Sequence, residues 1–161
     1  MSVHPETTDS PLWRFANAAW RHPGCAARLV RLQDEHGVEV LPVLAALYQG
    51  ASGQIPTLAA AAELLAAHQP FAAAVIAPLR AARRALARTG HEGDLRRQTQ
   101  RLELAAEAIA TARLASALQR AALEPGTPEL AVERILIAGG ISPADAAAHA
   151  MAICAECMPG L

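Results

Sequence analysis

The chain has 161 residues, a formal net charge of −1 and a hydrophobic content of 53 %, with aromatics at only 3 %. That length is one domain with room for a substantial core, and near-neutrality argues against a general nucleic-acid binder, which is normally markedly basic. Alanine carries much of the hydrophobic figure. Because alanine has the best helix propensity and buries little area, helices are expected almost everywhere and strands almost nowhere.

The punctuation along the chain is legible. Ser10-Pro11, a cap followed by proline at the first helical position, opens a helix over residues 11–21. His22-Pro23-Gly24 ends it, and a second helix runs to His36, stopped by Gly37. A third covers residues 38–49, a loop covers residues 50–56, and Thr57 caps a short fourth helix to about residue 67. Pro70 starts a fifth helix, kinked at Pro78, which ends near Thr89-Gly90. His91-Glu92-Gly93-Asp94 reads as a tight turn, with Asp94 capping a sixth helix over residues 94–123, roughly 45 Å if straight. So short a turn makes the fifth and sixth helices an antiparallel hairpin. After the break at Glu124-Pro125-Gly126, Thr127-Pro128 opens a helix to Ala138. Ser142-Pro143-Ala144-Asp145 then forms an acidic capping box for a last helix to about Cys157. The expected fold is therefore all-α: a polar tail over residues 1–10, a bundle of six helices over 11–123, and a two-helix C-terminal hairpin over 127–161 packed on it.

No basic start followed by an apolar run opens the chain, so no secretory leader is expected. Residues 58–67 and 71–77 are apolar, but His68-Gln69-Pro70 divides them, so no continuous membrane span is expected. These features point to a cytoplasmic protein. There, Cys25, Cys154 and Cys157 are read as reduced thiols, with Cys25 a small buried apolar residue.

The most unusual segment is Val75-Ile76-Ala77-Pro78-Leu79-Arg80-Ala81-Ala82-Arg83-Arg84. It sets Arg80, Arg83 and Arg84 at i, i+3 and i+4, on one face just past a proline. All fourteen basic residues are arginine, which is read as the mark of a GC-rich genome. Seven of them lie between Arg80 and Arg101 against Glu92 and Asp94, a local net charge of +5 suited to a phosphate, an anionic lipid or an acidic partner. Across the hairpin, Arg80 or Arg84 is expected to meet Glu103 or Glu107. Asp34 or Glu35, in the cluster Gln33-Asp34-Glu35-His36, is expected to turn inward onto the same arginines. Trp13, Phe15 and Trp20 crowd the first helix, the two tryptophans seven residues apart on one face, and are read as its anchors on the bundle, with an exposed patch for a partner as the minority reading.

Conventional chemistry is sparse. Cys154-Ala155-Glu156-Cys157 puts two thiols on one helix face, but at a C-terminus, where the dipole disfavours a thiolate. Even with His149, the set is a ligand short of a zinc site. The chain has no Glu-x-x-His motif, Asp-rich diphosphate motif, Gly-rich phosphate loop or Gly-x-Ser-x-Gly turn. No catalytic residue and no cofactor are expected.

Several pieces carry a resemblance. These are Leu12-Trp13-Arg14-Phe15, the stretch from His22-Pro23-Gly24 to Leu32-Gln33-Asp34, and His36-Gly37-Val38-Glu39-Val40. Pro78-Leu79-Arg80 with Arg83-Arg84, and Leu102-Glu103-Leu104 with Glu107, complete the set. In order and spacing, over residues 11–123, the chain resembles a proteobacterial family of helical proteins of about this length, a conserved domain of unknown function. Members tend to carry an asparagine after the acidic-Val step, where this chain has Leu41-Pro42. The resemblance implies a helical fold and no assigned activity.

Two functions are compatible with these readings. The first is a non-enzymatic adaptor that turns its Arg-rich hairpin toward an acidic protein partner. The second is a binding module whose pocket near Pro78 takes a small amphipathic or anionic ligand. The candidate binding residues are Arg80, Arg83, Arg84, Asp34, Glu103 and Trp13. A homodimer through the alanine-rich faces is the further partner expectation.

Overall fold

The computed structural model describes residues 10–158; the expected polar tail lies, through residue 9, outside the described residues. Among the described residues seven helices follow one another: α1 Pro11–Arg21, α2 Pro23–His36, α3 Val40–Gly50, α4 Leu58–Ala85, α5 Gly90–Leu118, α6 Pro128–Ala138 and α7 Pro143–Cys157. A ribbon of two three-residue strands, β1 Gln54–Pro56 and β2 Leu123–Pro125, pairs antiparallel with Ile55 opposite Glu124. The fold is thus essentially all-α, as its composition implies.

The helix starts follow their caps. Backbone N–H groups of Trp13, Ala60, Leu130 and Asp145 donate to the hydroxyls of Ser10, Thr57, Thr127 and Ser142, satisfying donors the first turn leaves open. Ser142 also donates to Asp145 Oδ2 at 2.7 Å. Gly37 ends α2 in the left-handed region at φ 66°, where an L side chain is strained.

α3 is the axis of the fold. Its Pro42-Val43-Leu44-Ala45-Ala46-Leu47 run is buried throughout, as a helix apolar all round must be. It makes its broadest helix contact with α6, whose Ala131, Val132, Ile135 and Leu136 are almost wholly inaccessible, and α6 packs in turn on α7. The approach of α3 to α6 is close enough that a Cβ on Gly50 would lie 2.5 Å from the Pro128 Cα. The two C-terminal helices therefore supply the middle of the core. Arg134 on α6 locks the ribbon over it, donating to the Pro56 carbonyl at 2.8 Å and pairing with Glu124.

Three expectations are corrected. The fourth and fifth helices are one continuous helix of 28 residues, because the chain runs through His68-Gln69-Pro70 without a break. Its irregularity is a π-turn over Ala72–Ile76, where the Ala77 N–H reaches back to the Ala72 carbonyl. Pro78 has no N–H and its ring crowds the carbonyl four residues back, so a widened turn just before it relieves the clash. By length and composition α4 qualifies to cross a bilayer, which the expectation of no continuous span had excluded; 33 % of its most apolar stretch is buried in the fold.

The hairpin turn lies earlier than expected. α4 stops at Ala85 and α5 begins at Gly90, with Thr89 rather than Asp94 before the first turn. Arg96, reaching across from α5, donates to the carbonyls of Arg83 and Leu86 and so occupies acceptors that the end of α4 leaves open. Glu92 accepts from the Ala87 N–H at 2.9 Å on the other side of the turn.

The cysteines are not all reduced. Cys25 on α2 and Cys157 on α7 form a disulfide across 132 residues of sequence, with Cα atoms 4.7 Å apart. Beside it Arg28 pairs with Glu156 at 2.8 Å. The Cys-x-x-Cys spacing drew attention to the wrong partner, since two thiols on one helix face compete with a third that only the α2–α7 packing brings near. Cys154 stays a free, buried thiol, pushed up to about 12 by burial and by the charge of Glu129. The pairing removes Cys157 from the weak metal set with Cys154 and His149. Among the described residues no group of three His, Cys, Asp or Glu side chains converges on one point.

A polar cavity between the first helix and the hairpin

α5 presents Glu103 and Glu107, one turn apart, toward α4, and α4 presents Arg80 and Arg83 toward α5. Arg80 Nε donates to Glu103 Oε1 at 3.2 Å and its Nη2 to Glu107 Oε1 at 3.0 Å. Arg83 grips the same Glu103 twice, through Nε to Oε2 and through Nη2 to Oε1 at 3.2 Å. The side chain of Glu103 is only 6 % exposed, so its charge is held by two guanidinium groups rather than by water.

The two carboxyls are pushed in opposite directions. Burial raises Glu103, but the hydrogen bonds from Arg83 and Arg80 outweigh it and hold the group below the usual carboxylate range. At Glu107 burial prevails over Arg80, with the Glu103 charge adding to it, and the carboxyl lies above that range. The bond to Glu103 raises the Arg83 guanidinium further.

This cluster forms one wall of a cavity of about 320 Å³. Ile76, at the end of the π-turn, and Leu41, Leu44 and Leu104 make its apolar surface. α1 contributes Trp13 and Trp20 to the lining, with Asn17 between them in sequence. Gln33, Glu39 and Gln100 complete the polar lining, and Arg84 is exposed at the margin. Arg84 has no carboxylate partner among the described residues, whereas Arg80 and Arg83 are both committed. Counting Glu39, Glu103 and Glu107 against the three arginines, the lining is charge-balanced. Behind Glu39, the buried His68 places Nε2 3.6 Å from Glu39 Oε2, too far for a hydrogen bond.

Of the six residues singled out from sequence, Arg80, Arg83, Arg84, Glu103 and Trp13 all line this one cavity. Asp34 does not. It is exposed, as is Glu35, and neither meets an arginine of the hairpin. α2 buries Cys25, Leu29 and Leu32, and Asp34 follows Leu32 by two residues, about 200° round the helix; the adjacent Gln33 faces the cavity instead. Of the aromatics expected to anchor α1, Phe15 packs on the core, its ring tilted against Tyr48 at 5.4 Å, whereas Trp20 is 44 % exposed; Leu12, Ala16 and Ala19 are the buried residues that seat the helix. Glu39, Gln33 and Gln100 escaped the sequence reading because single polar residues on three separate helices or loops carry no spacing signal.

Comparisons with curated proteins and with solved structures found no match. The family described as "Protein of unknown function (DUF2390)" matches residues 11–114, which include α1 through most of α5 and every residue of the cavity wall. The chain belongs to the DUF2390 family, and the resemblance read from its motifs is to a domain of unknown function of this kind.

Proposed function

We propose that the chain is a binding module for a small amphipathic ligand with an anionic head, held in the cavity between α1 and the α4–α5 hairpin. One observation carries the reading: a single cavity is lined by both apolar and charged side chains, and one of its arginines has no carboxylate partner among the described residues. Such a mixture of apolar surface and few polar groups, at this volume, is the usual character of a small-molecule site. The anionic head meets Arg84, the apolar part lies along Leu41, Leu44 and Ile76, and the Arg80–Glu107 contact adjusts beside the head. The adaptor reading is less well supported by this face, since Arg80 and Arg83 already spend their charge on Glu103 and Glu107.

Glu107 makes the binding pH-dependent. Burial raises its carboxyl, so it takes up a proton at a higher pH than an ordinary glutamate, which removes a negative charge from the wall and frees Arg80 to face an anion. Affinity for an anion therefore rises as the pH falls through the Glu107 titration.

The test uses octanesulfonate, which stays ionised throughout. Trp13 and Trp20 are the only tryptophans in the chain and both line the cavity, so their emission reports occupancy directly. A saturable shift, about tenfold weaker in Arg84→Gln and tightening as the pH is lowered toward the carboxylate range, supports the reading. Absence of saturation, or equal affinity in Arg84→Gln, overturns it.

A further inference from the structure

A surface helix ordinarily carries one apolar stripe and solvates the rest. On α5 the apolar surface extends past it. The inner face buries Thr99, Glu103, Ala106, Ala110, Thr111 and Leu114 against the bundle. Beside the Thr99–Ala106 row, Leu95, Leu102 and Ile109 stand seven residues apart and are 51 %, 54 % and 38 % exposed. Gln98, Ala105 and Ala112 repeat at the same spacing three residues further along, so the two rows form a seam of three heptads. The alanines keep the seam low enough for a second backbone to come close.

The charges left unpaired beside the seam are basic. Arg101 and Arg113 are exposed along it, and Arg120 follows two residues past the end of the helix, while Asp94 is paired with Arg97 and Glu92 accepts from the Ala87 N–H. Arg113 lies over the Phe71 ring, 4.2 Å from its centroid. Arg101 and Arg120 have no carboxylate partner among the described residues.

We propose that this outer face of α5 is a docking surface for an amphipathic helix of another protein, one whose flanks are acidic. The heptad row supplies the apolar contact, and glutamates or aspartates beside the partner's seam neutralise Arg101 and Arg113. A second copy of this chain is a poor occupant, because antiparallel pairing about Leu102 sets Arg101 beside its own copy at the centre of the seam. The surface is independent of the cavity, which lies on the Glu103–Glu107 side of the same helix.

The probe is a synthetic 21-residue helix of three heptads, with leucine and alanine at its seam and glutamate at the flanking positions; a twin carries lysine in place of glutamate. Anisotropy of the labelled peptides is read against the whole protein. The glutamate peptide binds at least tenfold more tightly than the lysine twin, and its binding weakens in 0.5 M salt and in Arg101→Glu. Leu102→Glu abolishes it, while an unchanged thermal melt shows that the fold of this variant is intact. No binding, equal binding of the twins, or binding indifferent to Leu102→Glu overturns the proposal. A concentration-dependent dimer, or sedimentation with phosphatidylglycerol vesicles, abolished by Leu102→Glu assigns the stripe to another occupant and likewise overturns it.

Discussion

The contact between α3 and α6 and the contact between α4 and α5 are built on opposite principles. At the first, aliphatic side chains from two helices close around one another, and the cluster they belong to extends through α1, α2 and α7. At the second, the wholly buried apolar residues are Ile76, Ala106 and Ala110, with Phe71, Val75 and Leu79 partly covered beside them. The last third of α4, Ala77–Ala85, has no fully buried residue. What joins it to α5 is two arginines on two glutamates and Arg96 on the end of the helix. Aliphatic packing closes space to native density, whereas long charged side chains meet at their tips and leave room behind them. The cavity lies where the second kind of contact replaces the first.

The comparison can be broken most sharply at the apolar end. Leu136 is fully buried, so Leu136→Ala should cost about 3–5 kcal/mol in denaturant unfolding, as deletion of core methyls does when the site cannot collapse. Leu79→Ala, at the partly covered hairpin, should cost less than about 2 kcal/mol; equal losses would show that the hairpin is packed as tightly as the core.

Next comes the covalent tie. Cys25→Ser should destabilise the fold by about 2–5 kcal/mol, since the disulfide closes a long loop of the unfolded chain. Cys154→Ser should cost far less. With its thiol pushed up to about 12, Cys154 should resist iodoacetamide in the folded protein and react once it is unfolded. Labelling of Cys25 or Cys157 in protein purified without reductant would contradict the tie.

Glu103→Gln addresses the charged contact itself. Losing the anion leaves Arg80 and Arg83 facing each other, at about 2–3 kcal/mol. The pH dependence has a definite sign. The folded pKa of Glu103 lies below its unfolded value, so its contribution is present above the ordinary carboxylate range and is lost as the pH falls through the folded pKa. Glu107 acts oppositely: its folded pKa is raised, so its contribution grows as the pH falls through that value toward the unfolded one. Stability curves of Glu103→Gln and Glu107→Gln should therefore depart from the parent in opposite senses on the acid side. Parallel departures would show that the two carboxyls share one environment. The smallest effect is at a helix start remote from both contacts, where Ser142→Ala should cost about 1 kcal/mol through the lost cap.

Much of the cavity was legible because its charged wall obeys helical spacing. Arg80 and Arg83 at i and i+3, facing Glu103 and Glu107 at i and i+4 across a short turn, have few other ways to be satisfied. The choice of Arg83 over Arg84 as the second partner depends on how α4 is rotated against α5, and the π-turn shifts that rotation. Asp34 was misplaced for a related reason: a rotation of 100° per residue moves it to water and brings Gln33 inward. The Cys25–Cys157 bond had no local signal at all.

By itself, the sequence determined the helical class, the caps at Ser10, Thr57, Thr127 and Ser142, and the stop at Gly37, because these depend on neighbours within four residues. The tertiary structure decided what depends on distance. It ran α4 through Pro70, paired Cys25 with Cys157, set α6 at the centre of the core, and brought Trp13, Glu39 and Arg84 to one cavity. Each of those outcomes is a competition among partners far apart in the chain, and packing geometry settles it rather than local propensity.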